Sequence, residues 1–169
     1  MNIALIGYRG TGKTSVGKLL AKKLNRKLLS TDKMIIKKAG MPINKIVKKC
    51  GWNRFRHLES EAIKNISGKD NCIIDSGGGV ILKNKNISAL KKNCIIVLLK
   101  ANPKVIASRI KSSKQRPPLT NKSFIEEVRA VLKQRKEKYN NAADFIISTN
   151  NLSIGKVCNK IISKLKDKM

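Results

Sequence analysis

The residues Gly7-Tyr8-Arg9-Gly10-Thr11-Gly12-Lys13-Thr14 satisfy the pattern G-x-x-x-x-G-K-[ST]. They stand between an apolar run, Asn2 to Ile6, that reads as a strand, and a segment whose Val16, Leu19, Leu20 and Leu24 repeat at helical spacing. Strand, loop and helix in that order form a phosphate cradle. Glycines let backbone N–H groups approach an anion, and the helix N-terminus adds positive potential. A lysine ammonium reaches the β- and γ-phosphates, and a threonine hydroxyl is suited to Mg²⁺. Gly10, Thr11, Gly12, Lys13, Thr14 and Ser15 are therefore the expected ATP-binding residues, with Thr14 on the metal. Tyr8 and Arg9 occupy variable positions of the loop and are expected to line the nucleotide entrance without a chemical duty.

The loop also constrains the fold. Further strands are predicted at Lys27 to Leu29, Cys72 to Asp75, Cys94 to Leu99 and Phe145 to Ser148, each bounded by turn residues. Helical periodicity returns in Phe124, Val128, Val131 and Leu132, behind a capping box of Ser123 and Glu126, and again from Ile154 to Leu165. Alternating strands and helices predict an α/β, P-loop NTPase-type three-layer fold with a parallel five-stranded sheet, its ligands beyond the carboxyl ends of the strands. Two stretches interrupt the alternation. The polar helical segment from Met41 to Ile66 belongs to a helical substrate subdomain, about 32–62, and the Lys-, Ser- and Pro-rich segment 112–122 reads as a mobile lid. No linker divides residues 1–169, so a single domain is expected.

Composition narrows the classes. The apolar run in MNIALIGYRG is too short for a signal peptide, and no later run reaches membrane-spanning length, which predicts a cytoplasmic protein with no membrane partner. Cys50, Cys72, Cys94 and Cys158 are widely separated, so neither a zinc site nor a disulfide framework is indicated. A net charge of +28 invites a polyanion partner. The lysines, however, are spread through nearly every predicted helix, with three Phe, two Tyr and one Trp to interleave. A solvated lysine-biased surface is the better reading, and no nucleic-acid partner is expected. The guanine-reading N-K-x-D is absent, and the chain is too short for a helicase core, leaving a small-molecule kinase.

Acceptor-side candidates follow the strand ends. Leu28-Leu29-Ser30-Thr31-Asp32 brings a carboxylate to the sheet edge, either to orient and deprotonate an acceptor hydroxyl or to cap a helix beginning at Lys33. Arg56 and Glu59 share a helix face within Arg54-Phe55-Arg56-His57-Leu58-Glu59, an arrangement equally open to a plain surface ion pair. His57 points to another face and is read as structural. Asp75-Ser76-Gly77-Gly78-Gly79 ends the third strand with glycines that admit close approach to a bound molecule. Arg116-Pro117-Pro118-Leu119 and Arg135, four residues before Tyr139, complete the set.

Together these motifs, in order and over nearly the whole chain, resemble the shikimate kinase family. The resemblance implies transfer of the γ-phosphoryl of ATP to the 3-hydroxyl of shikimate with Mg²⁺, in aromatic amino acid biosynthesis. By position, Asp32 holds the acceptor hydroxyls and serves as base, while Arg56 and Arg135 grip the carboxylate. Gly78 contacts substrate through its backbone, Lys13 carries electrostatic stabilisation, and Arg116 closes over the phosphates. The family usually carries D-x-D at the second strand end; here the first acid is Ser30. Asp75 is a candidate replacement, acting on the metal through water, unless water and Thr14 suffice and Asp75 caps a turn. Asn150 and its neighbours stand where an adenine-side loop would lie. Gluconate or nucleotide kinases share the fold class, and a weakly catalytic binding protein is the alternative from another class. Nothing resembles an oligomerisation device, so a monomer is expected.

Overall fold

The computed structural model describes residues 1–110 and 123–167. Its sheet is parallel throughout, in the order β2-β3-β1-β4-β5, with β1 Asn2–Ile6, β2 Lys27–Ser30, β3 Cys72–Asp75, β4 Cys94–Lys100 and β5 Phe145–Ser148. Every residue of β1 and β3 is buried. That is why both read as unbroken apolar runs rather than alternating ones: a central parallel strand is covered on both faces. The chain crosses from β1 to one side of the sheet to make β2 and β3, then to the other to make β4 and β5. The carboxyl end of β1 is therefore the switch point, and the phosphate loop sits on it.

Helix α1 (Lys13–Leu24) and α7 (Ile154–Lys166) cover one face, packing Val16, Leu20, Val157 and Ile161 against Ile3, Leu5, Ile73 and Val97. On the other face Ile63 and Ile66 of α3 (Ile43–Ser67), Leu90 of α4 (Asn84–Lys91) and Tyr139 and Ala142 of α6 (Phe124–Ala142) pack on Ala4, Ile6, Ile74, Ile96 and Leu98. Each buried aliphatic side chain contributes about 1.5–3 kcal/mol over its exposed state. The remaining elements serve the site. Helix α2 (Thr31–Ala39) packs on the first half of α3 through Ile35, Ile43, Ile46, Phe55 and Leu58, a separate small core. Helix α5 (Pro103–Ile110) meets α6 beneath the phosphate loop through Ile106, Val128 and Val131, around Tyr8.

Three sequence expectations are sharpened. Strands β2 and β4 each run one residue past their predicted ends, to Ser30 and Lys100. Helix α2 begins at Thr31, not Lys33, because the Ser30 hydroxyl accepts the Lys33 N–H and is the N-cap; Asp32 lies in the first turn and does not cap. The stretch after Met41 is one long helix broken at Gly51, where φ is 75° and ψ 170°. Residues with a Cβ seldom adopt that backbone, so the glycine permits the bend. The capping box forms as read, with Glu126 accepting the Ser123 N–H at 3.2 Å. The predicted lid, with Arg116, lies outside the described residues.

Candidate active site

The phosphate loop owes its shape to local chemistry. Gly7, Gly10 and Gly12 have φ of 140°, 80° and 93°. At Gly7 a Cβ would stand 2.3 Å from the Leu99 carbonyl oxygen, so any side chain there would push the loop off β4. Thr11 turns its hydroxyl inward to the Tyr8 carbonyl at 2.8 Å and stabilises the loop from behind rather than facing its cavity. Lys13, nearly buried, donates to the Gly7 and Tyr8 carbonyls at 2.9 and 3.0 Å.

Over this loop opens a cleft of about 410 Å³. Its walls bring together Gly10, Gly12, Lys13, Thr14 and Ser15 with Asp32 at the start of α2 and Asp75, Gly77 and Gly78 at the end of β3. The β-strand register explains the juxtaposition: Ser30 pairs with Asp75, so the ends of β2 and β3 are level. Asp75 accepts a hydrogen bond from the Thr14 hydroxyl at 2.7 Å. It is buried, and it is tied to the phosphate loop. Thr31 secures the glycine run, its hydroxyl accepting the Gly77 N–H at 3.0 Å.

Behind Gly78 lies a second, smaller pocket of about 20 Å³, lined by Tyr8, Arg9, Trp52, Arg56, Gly78, Gly79 and Arg135. Arg56 and Arg135, 79 residues apart in sequence, therefore converge. Arg135 donates from Nη1 to the Gly78 carbonyl at 3.3 Å, and the Tyr139 hydroxyl donates to the same oxygen. Arg56 is held by Glu59 at 2.8 Å and lies over the rings of Trp52 and Phe55, 5.2 and 5.1 Å from their centroids. With its side chain 11% exposed and Glu59 at 1%, this pair is not the exposed surface bridge that sequence spacing left open. Gly79 leaves room for Arg56, since a Cβ there would come within 1.9 Å of Arg56 Nη1. Burial raises the Tyr139 phenol to about 12 and raises the Tyr8 phenol as well, with Arg9 and Arg135 opposing.

A sequence profile described as shikimate kinase matches residues 9–166. The chain belongs to the shikimate kinase family. Its curated relatives include the shikimate kinases of Thermodesulfovibrio yellowstonii, 44% identical over 96% of this chain and 94% of that one, and of Dehalococcoides mccartyi, 39% identical over 98% and 93%. A solved shikimate kinase from Acinetobacter baumannii in complex with shikimate superposes with a TM-score of 0.95 at 31% identity, covering 99% of this chain and 93% of its own. A gluconokinase from Sinorhizobium meliloti shares the fold alone, with a TM-score of 0.61 at 11% identity.

Several residues of this shikimate kinase site escaped the sequence reading. Arg109, at the end of α5, lines the phosphate cleft and donates to the Gly10 and Thr149 carbonyls at 3.2 and 3.0 Å, next to the Asn150 loop. Its only signal was a basic residue in a helix's last turn. Trp52 stands one helical turn before Arg56, a spacing that could have flagged it. Tyr8 is buried and turned to the second pocket rather than to the nucleotide entrance, while Arg9 touches both cavities. His57 is exposed, 3.7 Å from Glu61, away from both. All four cysteines are free thiols, Cys50 exposed and the others buried. Among the described residues no helix is long and apolar enough to cross a membrane.

Proposed function

We propose that this chain transfers the γ-phosphoryl of ATP to the 3-hydroxyl of shikimate, giving shikimate 3-phosphate and ADP. The observation that carries the reading is the meeting of two unlike cavities across Gly78. One is a phosphate cradle with a carboxylate on its wall; the other is a pocket where two arginines converge. A planar carboxylate suits guanidinium forks, which donate in pairs from fixed geometry. With the acceptor's carboxylate between Arg56 and Arg135, its hydroxylated ring extends past Gly78 toward Asp32 and the phosphate loop. Asp32 then accepts the proton of the attacking hydroxyl. Lys13 and the loop N–H groups neutralise charge on the transferred group in a loose, in-line displacement. Arg116 receives its phosphate-closing role from its place in the R-P-P-L segment alone.

The residues present fit Mg²⁺. Magnesium prefers oxygen ligands, keeps several waters and takes few protein ligands alongside substrate phosphates. Thr14 and Asp75 supply two oxygens 2.7 Å apart on the wall of the phosphate cleft. Among the described residues no group of three or more His, Cys, Asp or Glu side chains that could hold a metal ion occurs. Thr14 would hold the ion and Asp75 its hydration shell, and the positive charge it supplies would offset that of the phosphates. We place the protein in the cytoplasm as a monomer.

The test is ADP release from Mg-ATP by purified protein with shikimate, gluconate or AMP as acceptor. Release stimulated by shikimate alone is expected. Stimulation by gluconate or AMP instead would replace the acceptor and keep the fold.

A further inference from the structure

We propose that Arg9 is a third acceptor-binding guanidinium, gripping shikimate where its pocket opens onto the phosphate cleft. The inference deepens the shikimate reading above and rests on it. Arg9 is the only cationic side chain lining both cavities among the described residues. The guanidinium is fixed rather than trailing into solvent: Nη2 donates to Glu127 at 2.5 Å, and Glu127 is 1% exposed on α6. Its carbon stands 5.7 and 5.9 Å from the centroids of Tyr8 and Phe124. A buried carboxylate and two rings thus hold one guanidinium in one place, where it loses little freedom on binding.

What it is held for follows from the groups left over. Among the described residues, Arg9 Nε and Arg135 Nε are buried with no hydrogen-bond partner, and both residues line the second pocket beside the Tyr8 hydroxyl. A buried donor without a partner is costly, and two around one small pocket call for an acceptor-rich molecule there. A hydroxylated carboxylate provides carboxylate and hydroxyl oxygens in that number. Arg135 is already assigned to the carboxylate. Arg9, which lines the phosphate cleft as well, is assigned to the part of the acceptor nearest the transferred group.

Trp52, the only tryptophan in the chain, lines the pocket and reports occupancy by its fluorescence. Shikimate titrations of wild type, Arg9→Met and Arg9→Lys would be paired with Mg-ADP binding by calorimetry. Arg9→Met is expected to weaken shikimate about tenfold or more, as loss of a charged hydrogen bond does, and Mg-ADP by a clearly smaller factor. Arg9→Lys, which keeps charge but not the fork, should fall between and carries the test if Arg9→Met does not fold. Shikimate binding within about twofold of wild type in both variants would overturn the role. So would equal losses of shikimate and Mg-ADP, the mark of a residue that only braces the phosphate loop. A wild-type protein that binds Mg-ADP but not shikimate would overturn the acceptor reading itself, and Arg9's role with it.

Discussion

Gly79 shows how much one hydrogen atom decides. Arg56 fits because the glycine beside it has no Cβ; an alanine would put carbon 1.9 Å from Nη1 and 2.2 Å from Cζ. The obstacle is the end of a side chain that is itself pinned by Glu59 and two rings, so it cannot swing away freely. Gly79→Ala should therefore misplace Arg56 more than it unfolds the protein. The shikimate KM should rise at least about tenfold with the ATP KM nearly unchanged, since a misaligned arginine fork forfeits a paired charged contact. Tyr139 makes a second residue-scale case. Its phenol stays protonated to about 12 in the fold but loses its proton near 10.0 when unfolded. Between those values the unfolded state binds fewer protons, so stability falls as pH rises, by up to about 1.4 kcal/mol per pH unit from this group. Below pH 10 the contribution is flat. Denaturant unfolding of Tyr139→Phe should show lower stability at neutral pH, from the lost bond to Gly78, but a shallower decline above pH 10.

At the scale of elements, β2 and β3 carry the main departure from the family's pattern. The strand end that usually supplies the first acid of D-x-D here supplies Ser30, whose hydroxyl is spent capping α2. Directly across the register stands Asp75, bonded to Thr14. On our proposal Asp75 takes the place of the missing acid, one strand over and level with Ser30 in the register. Asp75→Ala should raise the Mg²⁺ concentration for half-maximal rate by about 10- to 100-fold, as loss of an outer-sphere partner does. Ser30→Asp in that background should recover most of it. Mn²⁺ binding to the protein–ADP complex, followed by electron paramagnetic resonance, should weaken in step; a Mg²⁺ titration unmoved by Asp75→Ala would return Asp75 to a purely structural part. The strands and long helices were legible because each carries its apolar run or helical period in its own residues. Convergence was not: the bond between Thr14 and Asp75, the entry of Trp52 and Arg109, and the pairing of Arg9 with the buried Glu127 depend on crossovers that no local pattern encodes. Ser30 was legible as a missing acid but not as a cap, since capping depends on where the chain turns.

For the whole molecule, charge sets opposite demands. With 38 lysines and arginines against 10 acids, most cations have no partner of opposite sign. Those of α1, α2, α3, α4, α6 and α7 that spread the charge, among them Lys22, Lys37, Lys48, Lys91, Lys133 and Lys164, are exposed. Such a shell repels itself, and folding concentrates it. Added salt screens the repulsion, the Debye length shrinking from about 10 Å at 0.1 M to about 3 Å at 1 M. The melting temperature should therefore rise as KCl increases over that range, the reverse of what a fold held by surface ion pairs would do. The same field draws anionic nucleotide and acceptor toward the cleft, so kcat/KM should fall over the same range while kcat holds. The two trends have one cause and opposite signs, and a neutralised surface should abolish both together. A set of Lys→Gln changes on α7, at Lys156, Lys160, Lys164 and Lys166, is remote from Arg56, Arg135 and the phosphate loop. It should flatten the salt dependence of stability and of kcat/KM together while leaving kcat in place. Flattening of stability alone would assign the attraction of substrate to the arginines of the site rather than to the shell of lysines.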